Sequence, residues 1–123
     1  MSVQGAGVLR WNSGGNLTSG QYLGANGQSP VEANAQVLMN APGRMSNLYV
    51  ALSAAVGGTD SRTFTIRKNG VATALVVTIT GAATTGSDTT DVVSYVAGDL
   101  ISLVNTESGG GPVNATGIAV VSV

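Results

Sequence analysis

Between Val31 and Asn40 apolar and polar positions alternate. Val31, Ala33, Ala35, Val37 and Met39 fall on one side, and Glu32, Asn34, Gln36, Leu38 and Asn40 on the other. A period of two is that of a strand with one buried face, so the spacing predicts a strand over 31–40. Asn40-Ala41-Pro42-Gly43 reads as a turn, because Pro fixes φ and Gly tolerates positive φ. A second strand follows over 47–53, with Leu48, Val50 and Leu52 on one face, until Gly57-Gly58-Thr59-Asp60 breaks it. The firmest local signal is Asn69-Gly70, flanked by Thr63–Lys68 and Val71–Thr80. A type I′ turn requires positive φ at both central positions, which Asn-Gly supplies. A two-residue loop pairs Lys68 with Val71, Ile66 with Thr73 and Phe64 with Leu75. That places Phe64, Ile66, Leu75, Val77 and Ile79 on one side.

Further along, Gly81–Ser87 reads as a small-residue loop and Asp88–Val96 as a strand ending at the turn Ala97-Gly98-Asp99. Leu100-Ile101-Ser102-Leu103-Val104 is almost continuously apolar. Such a run is buried on both faces, in the centre of a sheet or against a partner subunit. Gly109-Gly110-Gly111-Pro112 reads as a flexible loop, and Thr116–Val123 as a final Val-rich strand tied into a sheet. The first thirty residues differ. Glycines separate short apolar pieces, Val8-Leu9-Arg10-Trp11 and Tyr22-Leu23, which predicts an extended N-terminal arm with one or two short strands. The expected organisation is therefore an arm over 1–30 and an all-β, two-sheet jelly-roll sandwich over 31–123.

Composition agrees with this class. Eighteen glycines supply turns, and Val and Thr far outnumber the single Phe. Branching at Cβ suits a pleated surface better than a helix. Five basic and six acidic residues give a net charge of −1. Five scattered cations are too few to replace the counterions around a nucleic acid, so no nucleic-acid partner is expected. Sparse surface charge also gives little protection against association. No apolar run reaches membrane-spanning length, and Met1–Arg10 lacks the pattern of a signal peptide. The expectation is a protein assembled in the cytoplasm, with no membrane partner.

Little in the sequence carries chemistry. Histidine and cysteine are both absent, which removes the commonest general base and the commonest metal ligand. A Ser nucleophile would have to use Lys68, beside a hairpin turn. Asp88 and Asp91 lie three apart on the expected strand and so point to opposite faces. A cation site from Asp60, Asp88 and Asp99 matches no known loop spacing. No cofactor or metal is expected, and the chain reads as a non-enzyme. Trp11, the only Trp, lies beside Arg10. It either covers an open end of the core or anchors the arm in a partner, a role in which Trp and Arg are enriched.

The later two-thirds of the chain resembles the trimeric jelly-roll superfamily of the complement C1q and tumour-necrosis-factor type. Asn47-Leu48-Tyr49-Val50-Ala51-Leu52 is similar to its early core strand, and Phe64-Thr65-Ile66-Arg67-Lys68-Asn69-Gly70 to its hairpin. Val96-Ala97-Gly98-Asp99-Leu100-Ile101-Ser102-Leu103 is similar to its Gly-Asp turn leading into an apolar strand. The resemblance implies a homotrimer around an aromatic-lined axis, with Tyr49, Tyr95, Ile101 and Leu103 as trimer-interface candidates. The Ala/Thr/Gly-rich style also resembles bacteriophage capsid decoration, or cement, proteins. This implies a virion protein on the capsid exterior that binds the major capsid protein and stabilises the mature lattice. Its capsid-contact candidates are Val8, Leu9, Arg10, Trp11, Tyr22 and Leu23 in the arm. On this reading the arm is dispensable for folding. The alternative is a receptor- or glycan-binding tip of a tail fibre or surface appendage.

Overall fold

The Asn69-Gly70 turn anchors the structure, a computed structural model that describes residues 7–24 and 27–123. Asn69 and Gly70 take φ of 52° and 80°, the doubly positive geometry of the I′ turn. They join β6 (Ser61–Lys68) to β7 (Val71–Thr80). At the turn the pairing is Lys68 with Val71 and Arg67 with Ala72; beyond it, Thr65 pairs with Val76 and Phe64 with Val77. The expected Phe64–Leu75 pair is therefore displaced by two residues. Thr73 occupies the irregularity, its Oγ1 donating to the Ile66 carbonyl at 2.8 Å. Because the displacement is two and not one, the alternation survives. Phe64, Ile66, Leu75, Val77 and Ile79 all lie in the core.

The remaining strands are β1 (Gly7–Trp11), β2 (Tyr22–Gly24), β3 (Gly27–Ser29), β4 (Val37–Leu38), β5 (Gly43–Leu52), β8 (Thr85–Asp88), β9 (Val93–Tyr95), β10 (Leu100–Glu107) and β11 (Ala115–Ser122). They form two antiparallel sheets that enclose one core. One runs β1-β11-β5-β8, with β9 also on β5; the other runs β3-β2-β10-β6-β7, with β4 also on β10. The pairing is nested. β1 meets β11, β2 and β4 meet β10, β5 meets β8 and β9, and β6 meets β7. The apolar run at Leu100–Val104 lies in the sheet interior, as β10 between β2 and β6.

Three expectations are corrected. First, the described part of the N-terminal thirty residues is not an extended arm. β1 is zipped over its full length to Ile118–Ser122 of β11 and β2 is paired with β10, so this segment completes both sheets; residues 1–6 and 25–26 lie outside the described residues. β1 covers the side of β11 that faces away from β5.

Second, 31–40 is not one strand. Glu32–Asn34 form a short 3-10 turn, with Val37–Leu38 alone extended. The alternation gives way because Glu32 is pulled onto the outer face of the second sheet. Its carboxylate accepts hydrogen bonds from Arg67 Nε at 2.8 Å and Ser102 Oγ at 2.6 Å. Leu38 is left 65 % exposed while Ala35 and Met39 are buried.

Third, the strand expected over Asp88–Val96 is broken after Asp88, and residues within the expected loop 81–87 form β8. The Asp88 carboxylate accepts from the backbone N–H of Thr90 and of Asp91, each at 3.1 Å. That local bonding competes with the strand ladder and turns the chain.

Gly86 shows why small residues were needed where the sheets close over each other. A Cβ there would lie 2.9 Å from side-chain carbons of both Ile79 and Val77.

Candidate functional site

The residues expected to make contacts fall into two groups once folded. Trp11 is only 2 % exposed and is part of the core, as are Leu23, Tyr95, Ile101 and Leu103. These five are corrected from contact candidates to core residues. In each strand the alternation turns them inward, and the opposing sheet covers them. Tyr95 also hydrogen-bonds through its hydroxyl to Ser122 Oγ, which fixes it inside one chain. Leu9 packs half-buried against the core. Tyr22 is half-buried on the second sheet, with the Arg67 guanidinium 5.7 Å from its ring centre.

Val8, Arg10 and Tyr49 behave differently, and the fold brings them to one surface. β1 sets Leu9 and Trp11 inward, so Val8 and Arg10 point out. The pairing of Arg10 with Ala119, and of Ala119 with Tyr49, puts all three in one row across β1, β11 and β5. Tyr49 is 55 % exposed. Its row continues to Ser87, and the next row holds Gly117, Ala51 and Thr85. A single aromatic thus stands on a floor of small residues. One hollow beside it is lined by Arg10, Ala51, Thr85, Gly117 and Ala119. A second, bordered by Val8, Asn47 and Val121, reaches Tyr49 from the other end.

Asn47 shapes this face. Its φ of 56° marks an irregularity in the β5–β11 register. Before it Met45 points inward; after it Leu48, Val50 and Leu52 do. The extra residue changes which parity faces out, so that Arg44 and Tyr49 share the outer surface.

Acid–base groups elsewhere are engaged in holding the fold. Asp88 and Asp91, expected on opposite faces, are brought together by the turn. Burial pushes the Asp88 carboxyl up, yet hydrogen bonds from the backbone of Asp91, Thr90 and Val76 together hold it below the ordinary range. Asp91 is raised by its hydrogen bond to Asp88 and by the charge of that carboxylate. The Val76 N–H donates to Asp88 Oδ2 at 3.2 Å, so Asp88 ties β8 of one sheet to β7 of the other. Ser102 lies against Glu32, but it is buried and the carboxylate is committed to Arg67. These contacts brace Glu32 against the second sheet. Among the described residues no three acidic side chains converge to hold a metal ion.

Arg62 has no counterpart in the sequence reading. It is 1 % exposed. Its guanidinium donates to the carbonyls of Ser61 at 3.1 Å, of Gly109, and of Gly111 at 2.7 Å. Glu107 Oε2 approaches its Nε at 3.5 Å. The Gly109–Gly111 segment, expected as a flexible loop, is thus pinned by a buried cation. Gly109 and Gly110 hold φ of 142° and 93° there. No family model matches this chain, and neither does any curated protein.

Proposed function

We propose that this protein is a non-enzymatic jelly-roll subunit that works by association: a homotrimer that decorates the outside of a virus capsid and stabilises the lattice. The observation that carries this reading is the outer face of the β1-β11-β5-β8 sheet, where Tyr49 stands half-exposed among Gly117, Ala119, Ala51 and Ser87. Tyr combines large apolar area with few rotamers to lose, and it is enriched at binding hot spots. The small residues around it let another molecule approach the sheet closely.

The nested pairing of strands supports the jelly-roll reading. A ribbon whose first and last strands pair, then the next two inward, and so on to a central hairpin, is the chain path of a rolled two-sheet sandwich. The scarcity of charge supports association as the mode of action. Decoration then works by linkage: a ligand that binds only the assembled lattice stabilises it by about 2.7 kcal/mol per site at a hundredfold excess over Kd. Three linked copies multiply weak contacts through effective concentration.

Light scattering tests the first half. The chain of 12.1 kDa should run as a trimer, and Tyr49→Glu should run as a folded monomer. A wild-type monomer at all concentrations refutes the reading. The second half is tested by copy number in purified virus particles. Numbers comparable to the coat protein support decoration, and a few copies per particle point to a fibre tip instead.

A further inference from the structure

Charge is distributed unevenly between the two sheets. Of the five basic residues, Arg62 is buried on carbonyls and Glu107, Arg67 is paired with Glu32, and Lys68 donates to the Ser94 carbonyl at 3.1 Å. The remaining two, Arg10 and Arg44, lie exposed on the outer face of the first sheet. Among the described residues neither has a carboxylate partner, and that face carries no acidic side chain.

The acidic residues sort the same way. Glu32 and Glu107 face arginines. Asp99 is bonded by Asn69 at 2.9 Å and by the Val96 N–H at 2.9 Å, near Lys68. Asp60 lies against the Gly109–Gly110 turn that Arg62 holds. Among the described residues only Asp88 and Asp91 stand side by side with no cation to offset them. They sit where β8 gives way to β9, at the free edge of the same sheet. Val92, next to them, is 56 % exposed.

We infer that copies of this chain associate edge to face: the Asp88–Asp91 turn and Val92 of one copy dock on the Arg10–Tyr49–Arg44 face of the next. The inference rests on the self-association reading above and specifies which surfaces meet. Two faces laid on each other would bring Arg10 and Arg44 of both copies together, and like charges brought together in an interface oppose binding. Asp91 supplies a missing anion, and Val92 an apolar side chain for the small-residue floor beside Tyr49. Such a contact is heterologous, with different patches on the two sides, and it builds a ring when the rotation between copies closes and an open filament when it does not. The raised proton affinity of Asp91 agrees with two carboxylates that lack a cation in the isolated chain.

Charge reversal is the test, read as the dissociation constant of the oligomer by light scattering and sedimentation, with circular dichroism as the folding control. Arg10→Glu with Arg44→Glu should weaken association by about tenfold or more, and Asp91→Arg should do the same. All three substitutions in one chain should recover much of the wild-type affinity, and added salt should weaken the wild type. Arg10→Gln with Arg44→Gln, and Asp91→Asn, give the milder versions if a reversal disturbs folding. A wild type that oligomerises, is dissociated by Tyr49→Glu, and ignores every charge change overturns the edge-to-face pairing alone. Tighter association of the double arginine variant indicates opposed faces and also overturns it. A wild type that never associates removes the self-association reading itself.

Discussion

Replacing Arg62 with Met keeps the aliphatic stem in the core and removes the guanidinium. The structure sets the size of the effect. The guanidinium donates to three carbonyls, those of Ser61, Gly109 and Gly111, and faces Glu107. A hydrogen bond from a charged donor contributes about 1.5–3 kcal/mol, so three give a gross contribution of about 4.5–9 kcal/mol. The opposing term is the desolvation of the cation, which Met does not suffer. The Gly109 and Gly111 carbonyls also recover water once the loop opens. Removing one partner of a buried ionic group costs about 3–5 kcal/mol, and we expect the net loss in that range. This is a large part of a small domain's total of about 5–15 kcal/mol. Urea unfolding can be followed by the fluorescence of buried Trp11. With a slope of about 1–3 kcal/mol per M, the midpoint should fall by about 1–5 M. Arg62→Lys should recover only part, since a compact ammonium cannot span three carbonyls. A loss below about 1 kcal/mol for Arg62→Met would refute the reasoning. It would mean that the glycine segment holds its shape without the cation.

Acid should destabilise the fold, at the Asp88 contact between the sheets and at Glu32 on the outer face of the second. Asp88 and Glu32 are both held below their ordinary values: Asp88 by its backbone hydrogen bonds against the opposing effect of burial, Glu32 chiefly by Arg67. Their contribution is therefore present above the ordinary carboxylate range and lost as pH falls through the lowered folded values. Asp91 is raised and works in the opposite direction. Urea midpoints measured from pH 7 to pH 2 should decline on the acid side, and Asp88→Asn should flatten that decline; an unchanged slope would contradict the clip. Gly86→Ala should destabilise by about 1–3 kcal/mol through overpacking against Val77 and Ile79, measured as a lower urea midpoint. Asn69→Ala should cost at least about 1 kcal/mol. It places a residue with a Cβ but no amide at φ 52°, and it removes the bonds to Asp99 and to the Leu100 N–H. Thermal unfolding checks this, and an unshifted Tm would count against the role of the side chain.

Local rules succeeded wherever two of them agreed. At Asn69-Gly70 the turn chemistry and the apolar alternation on both flanks point to one hairpin, and that hairpin forms. Even there the pairing beyond the turn is displaced by two residues. The pattern cannot report this, because a shift of two leaves every side chain on the same face. The alternation over 31–40 failed for a complementary reason. It recorded burial of Ala35 and Met39, but Glu32 reaches Arg67 and Ser102, 35 and 70 residues away. Of the candidate contact residues, Val8, Arg10 and Tyr49 remained on the surface. Trp11, Leu23 and Tyr95 were legible as apolar, but not as inward-facing, whereas Ile101 and Leu103 lie in the apolar run expected to be buried.

What the sequence determined alone was the class of structure: Val- and Thr-rich strands, glycine-supplied turns, the central hairpin, and an interior position for Leu100–Val104. These follow from φ/ψ preference and side-chain period, which act over a few residues. Tertiary structure alone decided that the glycine-rich start closes both sheets, that Arg62 is sunk beneath the Gly109–Gly111 carbonyls, and that Arg10, Arg44 and Tyr49 share a face. Each depends on ladder hydrogen bonds or charge contacts between segments far apart in the chain. Such contacts acquire their energy only after the sheets have brought the partners together, so no local pattern encodes them.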